Sequence, residues 1–378
     1  MMSMKGLFLL LVLLSIIFTS LPAYSAANEK EVFVVAQRAF EDGFYDVSLR
    51  YLEQLLKEFP QTTKYVEAKL LEGQCYFFKK QYLKAFTIFQ DIVQRNEYKD
   101  VTLFWLGETY LKVGDYAKAQ EQYKQLIATA PGSLYAPQAY YSLGWSYFEK
   151  GDYENAKKSF QKLIELFPSN NLSEDAAFKL GECDYNAGQY EGAIFAFSKY
   201  AQEFPNSRRL FDANFNIAEA YYYLEQYDKS AEAYKKAQGL TKDPKLSLSA
   251  LVGLGWCSLK SEKYDDAMKA FDEAQALTKA NGLSEEDVIL GKASLFSAWD
   301  KQSEAMTSYS ELIERFPKSP RLPEAYLGRA NARYLLNDYP GAISDYQKLI
   351  DLFGADAQMQ KIVEKARFGL AWTYLKNG

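Results

Sequence analysis

Residues 138–168 read QAYYSLGWSYFEKGDYENAKKSFQKLIELFP, and this stretch sets the register for the whole chain. Tyr140, Leu143, Gly144 and Tyr147 fall at i, i+3, i+4 and i+7, the apolar stripe of an amphipathic helix. Glu149-Lys-Gly-Asp-Tyr153 ends that helix: Gly151 supplies the φ > 0 stop, and Asp152 is placed to cap a second helix. The stripe of that second helix, Tyr153, Ala156, Phe160, Leu163 and Ile164, closes at Phe167-Pro168. The pattern predicts two helices joined by a tight turn. Gly144 and Ala156 would let them approach, with the rings of Tyr147 and Phe160 filling the space beside them.

The stretch is one copy of a recurring unit. Tyr45, Tyr82, Tyr116, Tyr153, Tyr190, Tyr227, Tyr264 and Tyr339 recur at steps of 37, 34, 37, 37, 37, 37 and 75 residues, with Gln302 in the skipped place. Three residues after each mark stands a small residue (Ser48, Ala85, Ala156, Ala342), and seven after it a bulky one (Leu52, Phe89, Phe160, Tyr346). Nine before each mark stands Gly or Ala (Ala36, Gly73, Gly144, Ala330). A fixed period of this length predicts an all-α solenoid, in which each unit buries its apolar face only against its neighbours. Tyrosine reaches 30 of 378 residues for this architectural reason.

Leu143-Gly144, Tyr147, Gly151-Asp-Tyr153, Ala156, Phe160 and Pro168 together resemble the tetratricopeptide repeat, a helix–turn–helix of 34 residues. The resemblance runs through nine units, roughly residues 29–358, and implies a right-handed stack of helix A and helix B. The added length comes after the Pro, as in Phe204-Pro205-Asn-Ser207 and Phe316-Pro317-Lys-Ser319. That ending is similar to a bacterial envelope subfamily. It includes the repeat lipoprotein of the outer-membrane β-barrel assembly machinery and the periplasmic accessory of the Tol–Pal system.

The N-terminus points to the same compartment. Lys5, the apolar run Gly6 to Phe18 and the small residues around Ser25, Ala26 and Ala27 form the three regions of a signal peptide. Residues 1–27 are expected to be cleaved, leaving a soluble periplasmic chain of residues 28–378 with no membrane span; an uncleaved anchor is the other reading. No Cys stands near the cleavage region, so the lipid anchor of the assembly lipoprotein is not expected. Attachment to the outer membrane would come through partners. At the other end, Arg367 to Gly378 reproduces helix A of a tenth unit, with Ala371 and Tyr374 in the small and aromatic places, and suggests an array that continues.

Composition restricts the function. Net charge is −5, and no basic run or reader motif invites nucleic acid. There is no histidine, which removes the commonest general base and most zinc sites. No Gly-rich phosphate loop appears, so neither catalysis nor a cofactor or metal is expected. Cys75, Cys183 and Cys257 each stand two places after the small helix A residue in separated units, which predicts three core thiols and no bridge.

A binding scaffold remains. The resemblance places ligand residues on helix A, three before and one after the small residue. The first place is read at Phe33, Leu70, Trp105, Tyr141, Phe178, Phe215, Val252, Leu290 and Leu327. The second is read at Gln37, Gln74, Glu108, Trp145, Glu182, Glu219, Trp256, Ser294 and Asn331. None is Lys or Arg, so the family's clamp on a C-terminal carboxylate is absent. Trp105, Glu108, Tyr141, Trp145, Phe178, Glu182, Phe215, Glu219 and Trp256 are the candidate groove, aromatic and acidic, suited to an extended or helical peptide carrying Lys or Arg. Two readings stay open beside it: rings that pack helix A on the next helix A, and rings that stack on a glycan of the envelope. The expected role is protein–protein scaffolding in envelope assembly, secretion or division.

Overall fold

The computed structural model describes residues 28–95 and 97–378; the expected signal peptide, residues 1–27, lies outside the described residues. Among the described residues nineteen α-helices and one 3-10 turn succeed one another, without a strand. The chain forms two compact bodies, one up to Leu163 and one from Ile164. The first holds α1 (Glu29–Glu41), α2 (Tyr45–Glu58), α3 (Tyr65–Phe78), α4 (Tyr82–Ile92), α5 (Lys99–Lys112), α6 (Tyr116–Thr129), α7 (Ala136–Glu149) and most of α8 (Tyr153–Leu166). The second holds α9 (Ser173–Asn186), α10 (Tyr190–Glu203), α11 (Leu210–Tyr223), α12 (Tyr227–Gly239), α13 (Pro244–Lys260), α14 (Tyr264–Asn281), α15 (Glu286–Ala298), α16 (Gln302–Arg315), α17 (Leu322–Leu335), α18 (Tyr339–Phe353) and α19 (Gln360–Asn377). Each body is an all-α stack of the solenoid class: every odd-numbered helix is a helix A and every even one a helix B. Within a body, helix A packs on its own helix B and on the next helix A.

Every helix B opens at the marking residue, Gln302 included. The two irregular steps have simple causes. Helix α4 has 11 residues where α2 has 14, which shortens that step by three. Helix α14 has 18, and the step across it lengthens. Two residues before each mark the backbone turns left-handed, at Gly43, Gly114, Gly151 and Gly188 but also at Lys80, Glu225, Glu262, Asp300 and Asn337. Asp152 caps α8 as expected, its Oδ1 accepting from the Asn155 N–H at 3.3 Å.

The bulky helix B residue is the core of each repeat. Phe89, Tyr123, Phe160, Phe197 and Phe271 are fully buried. Phe160 lies against Gly144, where an added Cβ would stand 2.8 Å from the ring; Phe197 meets Gly181 in the same way at 2.6 Å. From the other side the next helix A closes on the ring with a second glycine: Gly253 on Tyr234, Gly291 on Phe271, Gly328 on Tyr309. Tyr147 is half-buried, and Lys124 of α6 lies over its ring at 5.3 Å.

The three cysteines are buried and free. Cys75 and Cys257 sit over the two serines that replace the small alanine of the preceding helix B, Sγ to Oγ 3.4 Å at Ser48 and 3.0 Å at Ser230. Burial pushes both thiols up to about 11.

Candidate functional site

In the first body the structure turns part of the expected groove inward. The residue three before Gly107 is Phe104, so Trp105 lies one step round the helix from the place assigned to it. Its indole packs edge-on among Phe77 at 5.2 Å, Phe78 at 5.7 Å and Phe104 at 5.5 Å, the joint between successive helices A. Glu108 accepts the hydroxyls of Tyr123 at 2.7 Å and Ser142 at 2.6 Å. Tyr141 meets the Phe160 ring edge-on at 5.5 Å. Trp145 is half-buried and lies parallel to Phe148, centroids 5.9 Å apart.

In the second body Phe178 is 1 % exposed, wedged between Phe197 at 5.0 Å and Tyr200 at 5.2 Å. It is core, not an open anchor. The guanidinium of Arg209 lies over its remaining face at 3.5 Å. Glu182 is paired with Lys179 at 2.5 Å and Arg209 at 3.7 Å. Phe215 meets Tyr234 edge-on at 5.3 Å, Trp256 meets Phe271 edge-on at 6.1 Å, and both are half-buried.

A single rule explains much of the acidity. Wherever the helix B ring is Tyr, its hydroxyl meets the polar residue fifteen earlier on helix A: Tyr123 with Glu108, Tyr234 with Glu219, Tyr309 with Ser294, Tyr346 with Asn331. Where the ring is Phe160 or Phe271, with no hydroxyl, the residue fifteen earlier is Trp145 or Trp256. A buried phenol needs an acceptor, and the carboxylate supplies it. Burial first, then the facing carboxylate, holds Tyr123 and Tyr234 well above the usual phenol range, so both stay protonated donors. Glu108 and Glu219 therefore serve the core with one oxygen, whatever else they meet.

One open cleft, of about 680 Å³, lies in the second body, built by α11, α12, α13, α15 and the start of α17. Of the nine candidate residues it gathers Glu219 and Trp256. Tyr222, Tyr223, Arg321 and Glu324 line it too, and sequence reasoning had not singled them out. Tyr223 is 54 % exposed and stacks on Tyr190 with centroids 4.9 Å apart, so its ring is held flat without being covered. Arg321 Nε is bound by Asp287 at 2.7 Å, which leaves Glu219 and Glu324 as the excess charge of the lining. The lining thus combines rings with a few carboxylates. Among the described residues no group of three or more His, Cys, Asp or Glu could hold a metal ion.

A tetratricopeptide repeat family model matches residues 36–99, 106–171, 141–208, 215–281 and 303–357. No curated protein matches the chain. The C-terminal part of a repeat-containing protein from Cytophaga hutchinsonii has a TM-score of 0.54 at 14 % identity, over 67 % of this chain and 97 % of that one. A tetratricopeptide repeat protein from Parabacteroides merdae gives 0.45 at 15 % identity, over 71 % and 98 %. MamA gives 0.42 at 24 % identity, over 47 % and 93 %. The likeness to the Cytophaga hutchinsonii protein speaks for the fold alone, and none of the three supports the narrower likeness to the assembly lipoprotein or the Tol–Pal accessory. The family matches span well over half of the residues, and the chain belongs to the tetratricopeptide repeat family.

Proposed function

We propose that this chain is an exported scaffold of the bacterial periplasm that binds peptide segments of envelope proteins through its helix A surface. The repeat fold is typically a non-catalytic platform for protein partners. The observation that carries the finer reading is the cleft at Trp256, where exposed or half-buried rings stand beside unneutralised carboxylates. A peptide offers apolar and basic side chains to both features at once. Export rests on the charged, apolar and small-residue regions of residues 1–27. Among the described residues no helix is long and apolar enough to cross a membrane.

Titration of residues 28–378 with a degenerate heptapeptide pool and with soluble peptidoglycan fragments tests the binding mode by tryptophan fluorescence. A saturable response to peptide is expected; a response to the saccharide alone would replace the peptide reading with the glycan one. Export is tested by fractionating cells that make the full chain and sequencing its N-terminus. A periplasmic product beginning near residue 28 is expected, and a cytoplasmic product with its N-terminus intact would overturn that part.

A further inference from the structure

The chain fills one acid–ring–acid place with its own arginine and carries no arginine at the same register of the next unit. Asp175, Phe178 and Glu182 stand six before, three before and one after Gly181. Arg209, from the segment leading into α11, occupies the site they make. Its guanidinium lies 3.5 Å over the Phe178 ring, Nη1 is 3.0 Å from Asp175 Oδ1, and Nη2 is 3.7 Å from Glu182 Oε1. A planar cation stacked on a ring and held at its edge by two carboxylates is the arrangement that arginine, more than lysine, satisfies.

Thirty-seven residues on, the same three types recur in the same places: Asp212, Phe215 and Glu219 around Ala218. The residue in the register of Arg209, nine before the small residue of the following helix A, is now Leu246. A cation returns to this register elsewhere, as Lys64 over the Phe33 ring at 5.8 Å and as Arg321 on Asp287 at 2.7 Å. Of the two units that carry the acid–ring–acid triple, only this one has a leucine at that register. Glu219 also lines the open cleft, beside Trp256, Tyr223 and Glu324.

We propose that Asp212, Phe215 and Glu219 form an arginine-binding place, filled by an arginine side chain of the partner peptide where Arg209 fills the preceding one in cis. This rests on the peptide-groove reading and names the residue that the groove selects. The partner is an extended segment that presents one arginine next to an apolar residue, the second lying against Trp256 and Tyr223.

The test uses residues 28–378 with three heptapeptide pools that differ only at the centre: arginine, lysine or citrulline, the last matching arginine in shape but without its charge. The arginine pool is expected to bind about tenfold or more tighter than the citrulline pool, and tighter than the lysine pool. Leu246→Arg, which copies Arg209, is expected to keep the melting temperature and weaken the arginine pool about tenfold or more. Asp212→Asn should weaken the same pool without touching the citrulline one. Equal binding of the arginine and citrulline pools, or unchanged affinity in a folded Leu246→Arg, would overturn the arginine place and leave the peptide groove standing. No response to any pool would overturn both.

Discussion

At the residue scale, the fold depends on a pair sixteen positions apart, a glycine on helix A and a ring on helix B. Phe160 has no exposed surface and Gly144 lies directly under it. Phe160→Ala is expected to cost about 3–5 kcal/mol, the range for emptying a buried aromatic site. Unfolding of a repeat array need not be two-state, so the loss is best read as lowered hydrogen-exchange protection over residues 139–168. Unchanged protection there would show that the ring is not the core of its repeat. The thiols give a second residue-scale outcome. Denatured, unreduced protein should show three free thiols. Native protein at pH 8 should react far more slowly, because all three thiols are buried and Cys75 and Cys257, raised to about 11, carry little thiolate there.

The same scale shows what could be read in the sequence and what could not. Gly144 and Phe160 were legible because they recur. Glu108 and Glu219 were legible as polar residues on a helix face, but their work for Tyr123 and Tyr234 was not. That pairing joins residues fifteen apart across a turn, a spacing no single-helix pattern displays. Phe178 was read as more open than it is for a related reason: beside Phe197 and Tyr200, part of its cover comes from Arg209, in the next repeat.

At the element scale, each helix pair depends on one left-handed turn residue. Gly151 adopts it at φ 75°, whereas Glu225 adopts it at φ 58° and already carries the Cβ penalty. Gly151→Ala is therefore expected to cost about 1–2 kcal/mol. Glu225→Ala should change stability by only a few tenths of a kcal/mol, since both residues bear the same strain. Urea melts of the two variants check this. Equal losses would mean that the turn does not set the helix angle. The starts of helix B were legible to the residue because the mark, Tyr or Gln302, opens each one. The lengthened α14 and shortened α4 were visible only as irregular steps, with no sequence signal saying which helix had changed.

At the scale of the whole molecule, the repeat array can be read from the period, but the two compact bodies cannot, because the marks run on unchanged past Leu163. Nor can the cleft, which depends on where rings are left uncovered between successive helices A. Of the nine residues expected in a groove, the cleft in the second body holds Glu219 and Trp256, beside Tyr222, Tyr223 and Glu324. If carboxylates guide a basic peptide to it, Glu324→Gln should slow association and flatten its salt dependence, with little change in dissociation. Stopped-flow rates at two salt concentrations check that.

The central claim is that Trp256 serves binding more than folding, and one comparison addresses it. Trp256→Ala and Phe160→Ala are each taken through a thermal melt and a titration with the tightest-binding peptide from the pool. Trp256 is half-buried, so its loss should lower stability less than the loss of Phe160 while weakening binding by about 2 kcal/mol or more. A Trp256→Ala protein that unfolds as readily as Phe160→Ala, yet binds normally while folded, would return the indole to the core between repeats and contradict the account.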